Sequence, residues 1–216
     1  MAQKSLKKGL FISFEGPEGS GKSTHAGKIY GFLSGLGYKC MFTREPGGTF
    51  VGEKIREILL DPKHKEISGL AELLLFETNR SQLLEEVIKP AIRRRMIVLC
   101  DRYSDSTIVY QGYAGELPVK DVEAVDRIAT SGIKPDLTIL LDVPAGTGLA
   151  RAAARRPRDR MEMKPLGFHR KVRNGYIRLA GKNKKRIKVI KVRADIQETY
   201  ELVKKEIMKA VRRREK

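Results

Sequence analysis

The sequence predicts an α/β fold, a five-stranded parallel sheet with helices on both faces. Three observations predict it. Short apolar runs alternate with longer segments of helical spacing along the chain, the pattern of successive βαβ units. Two of those runs, MIVLCD (96–101) and LTILLDV (137–143), bring an Asp to their carboxyl ends, the edge where such sheets bind ligands. The first run leads directly into a glycine-rich turn, GPEGSGKST (16–24), and then into a helical stretch.

LFISF (10–14) is a short apolar run with Gly on both sides, which reads as a buried strand. Helical spacing follows over about 22–36 and stops at Gly37; KCMFT (39–43) is the second strand. FVGEKIREILL (50–60) is helical and ends at Asp61-Pro62. One long helical pattern covers 69–92, and Pro90 bends or interrupts it near its end. MIVLCD is the third strand, VKDVEAVDRIAT (119–130) an amphipathic helix, and LTILLDV the fourth strand. The densely basic stretch 151–164 precedes helical spacing at 168–180, an alternating fifth strand RIKVIKV (186–192) and a closing helix from 196. No internal repeat or low-complexity linker interrupts the pattern, so residues 1–216 are expected to form one domain.

Composition narrows the partners. Forty-four Lys and Arg against 26 Asp and Glu give a net charge of +18, which favours anionic ligands; a merely soluble basic surface explains the excess equally well. Cys40 and Cys100 each end a short apolar run and read as buried thiols of a reducing compartment. No apolar run reaches the roughly 20 residues that span a bilayer, and LFISFEG is too short for a signal-peptide core. A cytoplasmic location with no membrane partner is the expectation.

The turn GPEGSGKST fits G-x-x-x-x-G-K-[ST] between a strand and a helix, the context that a nucleotide phosphate loop requires. Gly16, Gly19 and Gly21 let the backbone wrap, so that successive N–H groups face phosphate. Lys22 supplies a mobile cation and Ser23 a hydroxyl for Mg²⁺. The expected ATP seat is Gly16, Pro17, Glu18, Gly19, Ser20, Gly21, Lys22, Ser23 and Thr24, on a three-layer P-loop NTPase fold. A GTPase would need Asn-Lys-x-Asp, and the nearest string, NKKR (183–186), lacks the Asp. A small nucleotide kinase is the leading class.

Four further stretches, TREPGGT (43–49), LLLFETNRSQ (73–82), DRYSDSTIVYQG (101–112) and RRPRDRMEM (155–163), together with the phosphate loop closely resemble the thymidylate (dTMP) kinase family, in its order and spacing. The resemblance implies phosphorylation of dTMP to dTDP with ATP and Mg²⁺, by direct in-line transfer, in a homodimeric enzyme. It implies that Arg44 and Arg102 clamp the acceptor phosphate and that Glu45–Pro46 is cis. Phe76 then stacks on thymine and Arg80, four residues on, hydrogen-bonds the base. Ser106, Tyr110 and Gln111 contact sugar and base, with Tyr110 crowding C2′. Glu18 reaches the acceptor's 3′-OH, and Asp101 joins Ser23 at the metal. The Arg-rich segment, a lid over about 151–165, implies catalytic Arg155 and Arg158 beside Lys22 and Arg102, although the basic run leaves Arg151 and Arg156 open for that role too. Gly19 and the loaded lid place the chain with the bacterial-like class.

The residue types have physical reasons independent of the resemblance. A guanidinium holds phosphate bidentately, an aromatic plane grips a base, and a closing basic lid neutralises the transferred group and excludes water. Two alternatives stay open: a kinase for dUMP, UMP or dCMP, and a basic nucleic-acid-binding P-loop ATPase. No nucleic-acid module is recognisable in the sequence, which makes the second the disfavoured reading.

Overall fold

The computed structural model describes residues 4, 6–154 and 157–215. Its five strands, β1 (Leu10–Glu15), β2 (Cys40–Arg44), β3 (Ile97–Asp101), β4 (Leu137–Asp142) and β5 (Ile187–Lys191), are all parallel in the order β2-β3-β1-β4-β5. The central strand explains the continuous apolar run at 10–14. Leu10, Ile12 and Phe14 pack with Ile29, Leu33, Val203 and Ile207 on one face, while Phe11 packs with Leu83, Leu84 and Val98 on the other. A strand alternates its side chains between two faces, so a strand covered on both is apolar throughout. The first face is covered by α1 (Lys22–Gly35) and α9 (Ile196–Glu215).

The helix α2 (Phe50–Leu60) has the predicted bounds. Thr49 caps it, its side chain accepting from Gly52 N at 2.9 Å, which satisfies a donor that the first turn leaves free. The long pattern at 69–92 divides into α3 (Gly69–Leu83), a π-helical turn (Leu84–Ile88) and α4 (Lys89–Arg93). Pro90 lies in the first turn of α4, where its missing N–H is tolerated and the wider turn before it absorbs the misfit. The interruption therefore begins earlier than Pro90 alone suggests. The helices α6 (Val119–Ala129) and α8 (Leu166–Lys182) agree with the predicted segments to within a few residues.

Two helices had no clear signal. α5 (Ser104–Thr107) continues into a π-helical turn (Ile108–Tyr113), in a stretch of Ser, Asp, Thr and β-branched residues that are poor helix formers. All four residues of α5 are buried and polar, and tertiary hydrogen bonds override propensity there. α7 (Ala145–Ala153) contains Gly146 and Gly148, which weaken a helix by up to about 1 kcal/mol each relative to Ala. Gly148 has a steric reason: a Cβ there would sit 2.1 Å from the Glu18 carbonyl oxygen. Among the described residues no helix is long and apolar enough to cross a membrane. Cys100 is buried, Cys40 half-buried, and both are free thiols.

Candidate functional site

The carboxyl ends of β1, β2 and β3 feed the phosphate loop, the TREPGGT bend and the DRY segment into one cavity of about 360 Å³. Backbone bonds lock the three together. Glu45 N donates to Asp101 O at 2.9 Å and Arg102 N to Phe14 O at 3.0 Å.

In the bend, Gly47 and Gly48 take φ of 122° and 83°, a region that only Gly enters freely. Gly47 N donates to Asn79 Oδ1 (2.7 Å) and Gly48 N to Glu53 Oε1 (2.8 Å). Arg56 donates to Pro46 O at 2.7 Å, and Glu45–Pro46 is cis. The bend is thus rigid, and Arg44 projects from it with its side chain half exposed, paired at 3.1 Å with Glu53.

The phosphate loop carries the expected glycines at positive φ: Gly16, Gly19 and Gly21. A Cβ on Gly19 would lie 1.9 Å from Gly148 O, so the loop backbone passes too close to α7 for any side chain there. Lys22 lies over its own loop, donating to Gly16 O (3.0 Å) and Pro17 O (2.8 Å). Burial, then the neighbouring Arg102, pulls its ammonium down to about 8, which leaves it largely charged at neutral pH. Ser23 Oγ donates to Asp101 Oδ2.

Arg102 is the hub. It adopts φ 71°, a left-handed conformation costing a non-Gly residue on the order of 1 kcal/mol. Its guanidinium donates to Glu18 (2.8 Å), Ser106 (3.2 Å), Tyr176 (3.3 Å) and Gly16 O (3.3 Å). Glu18 also accepts from Tyr110 OH at 2.7 Å. Burial opposes ionisation of Glu18, but Arg102 above all, then Lys22 and the Tyr110 hydroxyl, hold its carboxyl down at about 2. Beneath lies Glu15, fully buried, accepting from Tyr103 N, Ser106 Oγ and Tyr176 OH. Burial and then Asp105 raise it to about 7.

Of the residues expected at the site, Glu18, Gly19, Gly21, Lys22, Ser23, Arg44, Phe76, Asp101, Arg102, Ser106, Tyr110 and Gln111 line the cavity. Gly16, Pro17, Ser20 and Thr24 do not line it; they build the loop and the first turn of α1 behind it. Arg158 is exposed and off the cavity wall, as is Arg151. Arg155 and Arg156 lie outside the described residues.

Arg80 departs from its expected position. It is 1 % exposed and off the wall, with Nε donating to Glu45 at 2.8 Å and NH1 to Thr107 at 2.9 Å and to Glu77. Asp126 stands 3.6 Å away. One guanidinium serves three buried carboxylates here, and burial raises both Glu45, to about 8, and Glu77. Its i, i+4 spacing from Phe76 puts both on one stretch of helix, and the acidic neighbours engage Arg80 as an internal counter-ion.

Sequence reasoning missed several wall residues: Glu45, Arg56, Thr107 and the lid's Asp159, Met161 and Glu162. It also missed Arg160, which anchors the lid. Arg160 donates to Leu59 O (2.7 Å), and its NH1 meets Glu72 Oε2 at 2.6 Å. Glu72 in turn accepts from Gln111 Nε2 at 2.8 Å. RDRME carries only a generic signal of positive charge; which Arg turns inward depends on where α2 ends and α3 begins.

With this geometry in place, the comparisons decide the family. The family model for thymidylate kinase matches residues 14–207. The chain belongs to the thymidylate kinase family. It is 44% identical over 198 residues to the thymidylate kinase of Geotalea daltonii, covering 88% of this chain and 92% of that one. To the Thermoanaerobacter thymidylate kinase it is 49% identical over 179 residues, covering 83% and 87%. The crystal structure of thymidylate kinase from Ehrlichia chaffeensis superposes with a TM-score of 0.76 at 32% identity, covering 93% of this chain and 99% of that one. Family membership makes the chain a phosphotransferase on a P-loop NTPase fold.

Proposed function

We propose that the cavity transfers the γ-phosphoryl of ATP to dTMP, giving dTDP and ADP. One observation carries the reading: two anion seats, the phosphate loop and the Arg44–Arg102 pair, open into a single cavity flanked by an aromatic wall at Phe76. A site that only hydrolysed ATP would need the first seat alone.

In this reading the loop N–H groups and Lys22 take the ATP phosphates. Lys22 leaves its own loop carbonyls as better acceptors arrive, since a bond to a charged oxygen is stronger than one to a neutral carbonyl. Arg44 and Arg102 hold the acceptor phosphate, and Phe76 stacks on the base. Gln111 donates its amide N–H to Glu72, which leaves its carbonyl to accept an N–H from the base. Thymine offers N3–H there, whereas cytosine N3 is an acceptor. Glu18, ionised by Arg102 and Tyr110, accepts the acceptor's 3′-OH, and the Tyr110 ring crowds C2′. Arg80 acts behind the wall as a positioning residue, fixing Glu45 and Thr107.

The Ser23 hydroxyl and the Asp101 carboxylate meet beside the loop, a pair of hard oxygen donors that suits Mg²⁺. When bound there, the ion would supply positive charge that offsets the charge on the phosphate groups. The lid, Arg155 and Arg158 included, completes the charge around the transferred group and excludes water. A cytoplasmic location fits the two free thiols. Homodimerisation is supported by apolar side chains left exposed on the packed pair α2 and α3, namely Phe50 (81 % exposed), Val51, Ile58, Leu70 and Leu74.

The experiment is product analysis with ATP, Mg²⁺ and dTMP. The reading expects dTDP and ADP in a one-to-one ratio, with ADP formation depending on dTMP. ADP released without dTDP would overturn it.

A further inference from the structure

Charge is distributed unevenly along this chain. Between residues 163 and 194 there are twelve Lys and Arg and no Asp or Glu, two-thirds of the net +18. The structure turns part of that run into a line. On α8, Arg170, Lys171, Asn174, Ile177, Arg178, Gly181 and Lys182 are exposed, while Val172, Tyr176 and Leu179 face the core. The exposed set recurs every three or four residues, so it forms one stripe. Lys184 and Lys185, both exposed, extend it in the turn towards β5. At its head Arg170 and Asn174 line a shallow notch with Pro144, Ala145 and Gly146. Arg173 and Arg186 are spoken for by Asp142 and Asp105 and lie outside the stripe.

None of the stripe residues lines the nucleotide cavity, so the proposed reaction gives no reason for them. Like charges lined up without acids repel one another and cost stability. The other long surface helix, α9, intersperses Glu198, Glu201, Glu206 and Glu215 among its basic residues and pairs Lys204 and Lys209 with two of them.

We propose that the α8 stripe, from Arg170 to Lys185, is a docking surface for the phosphate backbone of a duplex nucleic acid. From Arg170 to Lys182 the helix rises about 18 Å, the axial length of about five base pairs. A backbone of evenly spaced phosphates matches a row of cations one helical turn apart. The stripe lacks an aromatic platform for unstacked bases: the nearest ring, Tyr113, already lies under Arg178 and Lys182, about 5.1 and 5.7 Å from its centroid. This favours a duplex over a single strand. A membrane surface would call for large apolar side chains among the charges, and the stripe offers only Ile177.

The test measures fluorescence anisotropy of a labelled 20-base-pair DNA duplex with the intact enzyme, ADP and dTMP held at saturation. The proposal expects binding at 100 mM salt, with log K falling against log [salt] at a slope of about −4. Changing Arg170, Lys171, Lys182 and Lys185 together to Gln should lower affinity at least tenfold and flatten the slope, with kinase activity retained. Changing Lys205, Lys209, Arg212 and Arg213 of α9 to Gln removes the same charge and should lower affinity by less than about threefold. Equal losses in the two variants would overturn the proposal, because diffuse charge would then explain binding. So would displacement of the duplex by saturating nucleotides, no binding at 100 mM salt, or tighter binding to phosphatidylserine vesicles than to the duplex.

Discussion

Gly148→Ala separates the needs of the helix from those of the site. Gly148 lies inside α7, and replacing an interior Gly by Ala favours a helix by up to about 1 kcal/mol. A Cβ at 148, however, would stand 2.1 Å from Glu18 O and 3.2 Å from Val143 Cγ1, where real Cβ atoms essentially never come within 3.0 Å. The phosphate loop must therefore retreat by about 1 Å, carrying Glu18 and Gly19 away from their seats. Misplacement of that size can cost on the order of 100-fold in turnover. The account expects kcat/KM for ATP to fall by about 10- to 100-fold, with Tm within a few degrees of the parent. A coupled assay for ADP and a thermal melt read both. Full activity at unchanged Tm would show that α7 does not hold the loop, and the reasoning fails.

Other outcomes follow from the same contacts. Glu18 is depressed from 4.5 to about 2, so its stabilisation is complete above pH 4.5 and is lost as pH falls towards 2. Glu18→Gln should remove that acid limb, flattening stability against pH between about 4.5 and 2; an unchanged limb would put the acid sensitivity elsewhere. Tyr110→Phe keeps the ring and loses the bond to Glu18, so discrimination against ribonucleotides should persist while Tyr110→Ala relaxes it; equal relaxation in both would remove the ring from that role. Arg80→Met strands Glu45 and Glu77 without their cation, a loss on the order of 3–5 kcal/mol, visible as a Tm drop of roughly 10 °C. A normal Tm with a raised dTMP KM would return Arg80 to the base. Removing Mg²⁺ with EDTA should abolish transfer, and Asp101→Asn should raise the Mg²⁺ needed for half-maximal rate.

The architecture is legible because four strands are short apolar runs bounded by Gly or a charged residue, the fifth alternates, and helices such as α2 and α6 carry their period openly. The phosphate loop was legible because its function needs Gly at fixed spacing. α7 was not, since Gly148 answers to Glu18, a neighbour far away in sequence. The ion pairing of Arg80 is not legible in the sequence for a related reason. Its spacing from Phe76 is local information, but Glu45 and Asp126, which claim it, arrive from a bend after β2 and from α6. Arg160 is one of five arginines between 151 and 160; burial against Leu59, Leu60 and Glu72 singles it out, and the chain does not encode that locally.

The central claim is that the wall of Phe76, Gln111 and Tyr110, with Arg44 and Arg102, is built for a thymine deoxynucleotide. The most direct measurement is the shift in Tm produced by dTMP, dUMP, dCMP, UMP and dGMP at equal concentration, since a ligand that binds the native state raises Tm by mass action. The account predicts the largest shift for dTMP, with the shift reduced in Arg44→Ala and in Phe76→Ala. A larger shift from dCMP or UMP, or a dTMP shift unaffected by both substitutions, would contradict it.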